Sequence, residues 1–414
     1  MEIKREFYLN ELVDRLDNGL IKIVTGIRRC GKSYLLDPIF KNYLIQQGVE
    51  RDHIIKLSLD ERANSKYLDP DILDQYIRSL IVDNKKYYII LDEIQEVKDF
   101  ESVLIGFMHI NNVEIYVTGS NSKFLSSDII TEFRGRGDEI RVYPLSFDEF
   151  YSVFDGSEEK ALNEYYTYGG LPLTLLAKTD NAKINYLKNQ RENVYINDIV
   201  ERNKIQNKEE LEMLVQIIAS DIGSLTNPLK LSNVFKERDK KSTMTDKTIY
   251  KYLECLQDDF MIEKAKRFDV RGKKFIETPQ KYYFSDMGIR NSFLDFRQSE
   301  EISHIMENVI YLELRKRGYN VDVGTVEIRE GNSKKQLEID FVANKGNDKI
   351  YIQSALEMKT PEKVAQEQKS LLNVNDFFKK IIFVGDNIKK SRYDNGIIIM
   401  SIYDFLLEKD SLKY

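Results

Sequence analysis

Gly26-Ile27-Arg28-Arg29-Cys30-Gly31-Lys32-Ser33 gathers two glycines, a lysine and a hydroxyl within one short stretch. Ile21-Lys22-Ile23-Val24 before it reads as a strand, and Ser33 to about Gln47 reads as a helix. Glycines at this spacing let the backbone wrap an anion with successive N–H groups turned inward. A helix start adds positive potential. Lys32 would reach the β- and γ-phosphates, and Ser33 Oγ would hold Mg²⁺. The stretch therefore predicts ATP with Mg²⁺ as the bound species, cradled by Gly26, Ile27, Arg28, Arg29, Cys30, Gly31, Lys32, Ser33 and Tyr34. For Arg28 and Arg29, phosphate, an acidic neighbour and solvent all stand as partners. Cys30 reads as a small filler.

Tyr87-Tyr88-Ile89-Ile90-Leu91-Asp92-Glu93 is an apolar strand ending in two acids. Beside a phosphate loop, Asp92 would take Mg²⁺ and Glu93 would act as general base on the attacking water. Tyr116-Val117-Thr118-Gly119-Ser120-Asn121 ends a further strand in a polar cluster. Thr118, Ser120 or Asn121 would bond the γ-phosphate or the lytic water, and spacing does not choose among them. In Phe133-Arg134-Gly135-Arg136-Gly137, Arg136 is the preferred arginine to meet the γ-phosphate, within the chain or across a subunit interface. The alternative is an exposed basic loop.

These residues need a frame. Over the first ~150 residues strand-like and helix-like segments alternate, which predicts a parallel sheet covered by helices. From Phe147 to Ile222 the pattern is helical, broken by the turn Gly169-Gly170-Leu171-Pro172. Two helices follow, the second running from Thr245 to Leu256 with a Thr cap. The strand-like runs Phe260 to Phe268 and Lys273 to Thr278 flank Arg271-Gly272, a hairpin turn. That order suggests a winged helix. The rest of the chain reads as a separate small α/β domain. With 414 residues, 42% hydrophobic and 31% charged, several soluble domains are expected. A net charge of -6 argues against indiscriminate coating of nucleic acid. Two distant cysteines, a charged N-terminus and apolar runs too short to cross a membrane predict a reduced, cytoplasmic protein.

The run Thr25 to Ser33 is similar to the G-x-R-R-x-G-K-S loop of a widespread prokaryotic ATPase family. Further matches are Leu91-Asp92-Glu93-Ile94-Gln95, Thr118-Gly119-Ser120, Gly135-Arg136, Pro144-Leu145-Ser146-Phe147 and Gly169-Gly170-Leu171-Pro172. Later ones are Lys281 to Gly288, Glu307-Asn308 and Glu338-Ile339-Asp340-Phe341-Val342. The resemblance implies an α/β fold in four parts. An AAA+-like P-loop ATPase core would span 1–147, a helical extension 148–221 and a winged-helix-like domain 222–284. A C-terminal α/β domain resembling PD-(D/E)xK nucleases, the restriction-endonuclease-like fold, would span 285–414.

In that last domain the resemblance makes Glu307 and Asp340 the metal-holding acids. The (D/E)-x-K element falls on Gln353-Ser354-Ala355, which lacks both the acid and the lysine, so a nuclease-like fold without nuclease activity is expected. Lys359 would stand in only if the chain folded back. Lysines and arginines from Lys240 to Lys274 predict a DNA-binding face, with a protein-binding face as the alternative. The leading expectation is a Mg²⁺-dependent ATPase whose cycle drives domain rearrangement, and a homo-oligomer fits the arginine pattern. A slow nucleotide switch and an ATP-regulated nuclease are the alternatives.

Overall fold

A computed structural model describes residues 3–119, 135–297, 302–331 and 333–413. The chain divides into two compact units, residues 1–144 with 258–260, and residues 145–257 with 261–414.

In the first unit β1 (Ile21–Thr25), β2 (Ile54–Ser58), β3 (Tyr87–Asp92), β4 (Val113–Thr118) and β5 (Gly137–Arg141) form one sheet in the order β2-β3-β4-β1-β5. Every pairing is parallel. β1 and β3 are buried along their whole lengths, which is why β3 reads as an apolar run from Tyr87 to Leu91, while the Lys22 of β1 is buried in a pair with Glu114. Helices cover the faces. Pro70–Leu80 shows how one is specified: Asp69 accepts from the N–H groups of Asp71 and Ile72, Pro70 opens the first turn, and Leu73 and Ile77 face the core. Because all strands run the same way, their C-terminal ends share one edge, and the loops leaving β1, β3 and β4 meet there.

β5 was not legible as a strand. Gly137-Asp138-Glu139-Ile140-Arg141 is polar because it is an edge, and only Ile140 is buried.

The second unit begins with helices, among them Phe147–Tyr151, Glu158–Tyr168, Asp180–Gln190 and Lys208–Ser220. The expected boundary at 147/148 would cut Phe147–Tyr151 at its first residue, whereas the units part at 144/145. A nine-stranded sheet follows, built from β6 (Leu225–Thr226), β7 (Ile262–Asp269), β8 (Lys274–Phe284), β9 (Asn320–Glu330), β10 (Ser333–Lys345), β11 (Asp348–Ala355), β12 (Lys379–Val384), β13 (Ser391–Arg392) and β14 (Ile398–Ser401). Its order is β13-β14-β12-β11-β10-β9-β7-β8-β6. Helices Pro228–Arg238 and Asp246–Asp258 lie between β6 and β7 in sequence, and the β7–β8 turn is pinned by Asp269, which accepts from the N–H groups of Arg271 and Gly272.

The expected separation at 284/285 is not found. β7 pairs with β9 through Arg267↔Val323, Phe268↔Gly324 and Asp269↔Thr325, so the hairpin and the C-terminal strands are one sheet.

Candidate nucleotide site

The loop after β1 combines backbone shapes that only small or strained residues adopt. Gly26 has φ 145° and Gly31 φ 101°, and Arg29 between them is left-handed at φ 68°. A Cβ on Gly26 would lie 2.1 Å from the Val142 carbonyl oxygen, so glycine is required there by contact as well as by angle. Helix begins at Lys32 and leaves helical angles at Asp37 before continuing to Gln46. The Lys32 ammonium is buried and donates to the carbonyls of Gly26 (2.9 Å) and Ile27 (3.2 Å), folded back across its own loop. Ile27 and Cys30 are buried, Cys30 with its Sγ 3.4 Å from the Val142 carbonyl oxygen. Arg28 is half-buried, whereas Arg29 and Tyr34 are exposed.

Sheet order then brings distant residues to this loop. β1 is flanked by β4, and β4 by β3. The Ser33 hydroxyl lies near enough to the Asp92 carboxylate to pull its pKa down, which brings the start of the helix after the loop to the end of β3. Thr118 Oγ1 donates to Asp92 Oδ1 and accepts from the Glu93 N–H at 2.9 Å. The register that pairs Leu91 with Val117 sets Thr118 opposite Asp92. Burial pushes the Asp92 carboxyl above its usual range; Thr118 and Ser33 oppose this, and the charges of Glu93 and Asp60 add to it. Glu93 is left-handed at φ 53°, and its carboxylate accepts from Gln95 Nε2. A hydroxyl and a carboxylate, both hard oxygen donors, sit side by side in an acidic setting. That donor set fits Mg²⁺, which commonly takes one or two protein oxygens and leaves its other positions to water and phosphate.

Ser120 and Asn121 lie outside the described residues. Arg136 requires a correction. Its carbonyl accepts from Ile21 N–H at 2.9 Å, at the start of β1, while the phosphate loop leaves the other end. Those strand residues separate them by roughly 16 Å at about 3.3 Å per residue. An arginine there does not belong to the loop's edge of its own sheet. The arginine that β5 carries to that edge is Arg141, in register with Thr25 and 5.4 Å from the Tyr143 ring centre. Sequence reading passed over it because β5 went unrecognised. Asp60, just beyond β2, was missed for want of any pattern.

The second unit holds a polar cavity of about 810 Å³ lined by Glu307, Asp340 and Gln353. Its ammonium comes from an unexpected strand. Lys281 of β8 lies 2.9 Å from Glu307 Oε1 and 2.7 Å from Glu338 Oε1. Glu307 also accepts from the Tyr283 hydroxyl at 2.6 Å. Burial would raise the Glu307 carboxyl, but Lys281, His304 with its Nδ1 3.8 Å away and the Tyr283 hydroxyl hold it below its usual value. Asp340 accepts from Gln353 Nε2 (3.0 Å) and from the Ser354 N–H and hydroxyl (both 2.7 Å), yet burial and the Glu307 charge push it up to about 7. Lys359 is exposed and paired with Glu357, so the chain does not fold back to supply it. The signal for Lys281 was a charge set directly before the apolar run Tyr282-Tyr283-Phe284 that ends β8.

A sequence profile for an AAA domain matches residues 18–151, and profiles for two domains of unknown function (DUF8612 and DUF4143) match 159–300 and 303–405. The solved structure of the Walker-type ATPase PABY2304 of Pyrococcus abyssi superposes with a TM-score of 0.50 at 17% identity, covering 71% of this chain and 96% of its own. The first unit thus carries an AAA domain with the fold of a P-loop ATPase. An uncharacterized protein of Haemophilus influenzae is 32% identical over 98% of this chain and 99% of its own length. One from Methanocaldococcus jannaschii is 30% identical over 93% and 87%. The chain belongs to the family that these two relatives represent.

Proposed function

We propose that this chain binds ATP with Mg²⁺ and hydrolyses it, and that turnover drives rearrangement of its attached domains. The observation that carries this is the bond of Thr118 to the buried Asp92 carboxylate, which the Ser33 hydroxyl also influences, beside a glycine-framed loop that opens a helix. In this reading Lys32 exchanges the Gly26 and Ile27 carbonyls for the β- and γ-phosphates. The amides from Ile27 to Tyr34 hold phosphate oxygens. Ser33 and Asp92 take Mg²⁺, which supplies positive charge to the transferring phosphoryl group. Thr118 fixes the Asp92 carboxylate and the Glu93 backbone. Glu93 accepts the proton of the attacking water. Arg136 serves at a neighbouring copy's site, which calls for a homo-oligomer.

A second reading concerns nucleic acid. Helix, β6, two helices and the β7–β8 hairpin follow the order of a winged helix. Lys247 and Lys251 are exposed on the second of those two helices, and Lys264, Lys266, Lys273 and Lys274 on the hairpin. Arg267 and Arg271 are instead occupied, the first with Gln336, the second with the carbonyls of Glu327 and Asn373. The C-terminal domain is read as nuclease-like without hydrolysis, since Gln353 and Ala355 stand where an acid and a lysine would act. A protein partner remains the alternative occupant of the basic face.

Steady-state ATP turnover with Mg²⁺, with and without plasmid DNA, tests all of this. Wild type should turn over, and Lys32→Ala should neither bind nor turn over. Glu93→Gln should bind normally with kcat down by about 10²-fold or more. DNA stimulation lost in Lys247→Ala/Lys251→Ala, with the plasmid left intact, supports the second reading. Binding without turnover under any condition defeats the hydrolysis claim and leaves a nucleotide switch.

A further inference from the structure

Arg5 is 4% exposed, although it stands ahead of the first helix, Glu6–Val13. Its guanidinium donates from Nη1 to the Cys30 carbonyl (2.9 Å) and from Nη2 to the Tyr143 carbonyl (2.7 Å). It lies 4.6 Å from the Tyr8 ring centre, and the Tyr8 hydroxyl accepts from Tyr143 N–H at 3.0 Å. The segment it grips is the one the phosphate loop leans on: Val142 N–H donates to the Thr25 carbonyl, and the Val142 oxygen meets both Gly26 and Cys30. One side chain therefore ties the loop to the continuation of β5.

Peptide geometry gives this tie a consequence. The Cys30–Gly31 peptide is trans, so its C=O and N–H point in opposite directions. Drawing the Cys30 oxygen toward Arg5 aims the Gly31 N–H away from Arg5. Gly31 opens the helix and directly precedes Lys32. A guanidinium suits the task because its rigid fork presents two donors at once, where an ammonium is a point charge on a flexible stem.

We propose that Arg5 is a positioning residue for the phosphate loop, holding the Cys30 and Tyr143 carbonyls so that the loop's amides face a nucleotide's phosphates. This rests on the ATP reading above. Full-length protein is compared by calorimetric ATP binding, turnover and circular dichroism. Arg5→Ala should raise the Kd for ATP about tenfold, the equivalent of one charge-assisted hydrogen bond. KM should rise with it while kcat changes little. Arg5→Lys should fall between. Millimolar guanidinium should restore affinity to Arg5→Ala and leave Lys32→Ala unrescued. A folded Arg5→Ala with wild-type Kd overturns the inference alone; if that variant does not fold, a folded Arg5→Lys with wild-type Kd does the same. Absence of ATP binding by the wild type overturns the nucleotide reading and this inference with it.

Discussion

Thr118 meets Asp92 because two parallel strands share a register, and no spacing in the sequence encodes that adjacency. The loop's conformation was legible, being local: two glycines, Lys32 and Ser33 fall within one short stretch between a strand and a helix. Asp92 and Glu93 were legible from an apolar strand that ends in acids. The bond of Thr118 to Asp92, the distance of Arg136 from its own loop and the arrival of Lys281 all depend on strand pairing. At this scale Asp286 supports a pH prediction. It accepts from the N–H groups of Gly170 (2.7 Å) and Ile289 (2.9 Å), yet burial pushes its carboxyl up to about 6. In the unfolded chain it titrates near 3.9. Between those values the folded state keeps a proton that the unfolded state releases, so the folded state binds more protons and stability falls as pH rises. Each tenfold change in proton affinity is worth about 1.4 kcal/mol. Denaturant titrations at a series of pH values should show wild-type stability relative to Asp286→Asn falling between about pH 4 and about 6 and level above that. A difference curve that rises through this window would show that the carboxylate, not the acid, is the stabilising form.

Elements were legible where burial is complete or periodic. β3 reads as an apolar run because both its faces are covered, and the helix Asp246–Asp258 announces itself by its cap, Thr245 Oγ1 accepting from Thr248 N–H at 3.1 Å. β5 was invisible because an edge strand needs little apolar surface. The Gly169-Gly170-Leu171-Pro172 turn read as punctuation, while the structure gives it a packing reason. A Cβ on Gly170 would lie 2.2 Å from the Leu145 carbonyl oxygen, and Leu145 N–H donates to the Gly170 carbonyl at 2.8 Å. Two backbones touch there, and neither side can yield as a flexible side chain would. Gly170→Ala should therefore destabilise the second unit by about 1–3 kcal/mol, as overpacked cores do. Thermal unfolding read by circular dichroism checks it, and a melting point equal to wild type would mean that the turn is slack.

For the whole molecule, composition and periodicity suggested four parts, but the second unit has one sheet from β6 to β13. Short-range patterning shows where elements begin and end. It carries no record of which strands pair across long separations, so a helix-rich stretch followed by strands looks like two domains. The bonds across 284/285 are extensive. Phe284 N–H donates to Asn308 Oδ1 at 2.7 Å, and Asn308 Nδ2 returns a bond to the Phe284 carbonyl at 2.8 Å. Lys281 and Tyr283 both serve Glu307, which is almost fully buried. A fragment of residues 285–414 would strip β9 of β7, leave a long sheet edge bare and leave Glu307 without its lysine and tyrosine. Removing one partner of a buried ion pair costs about 3–5 kcal/mol, a large share of what holds a domain folded. Residues 145–414 keep every one of these bonds. That longer fragment should unfold in a single cooperative transition with dispersed amide resonances, while residues 285–414 should aggregate or show the collapsed spectrum of an unfolded chain. Dispersed resonances from the shorter fragment would mean that β9 to β14 fold without the hairpin, and that the boundary read from the sequence is a true one.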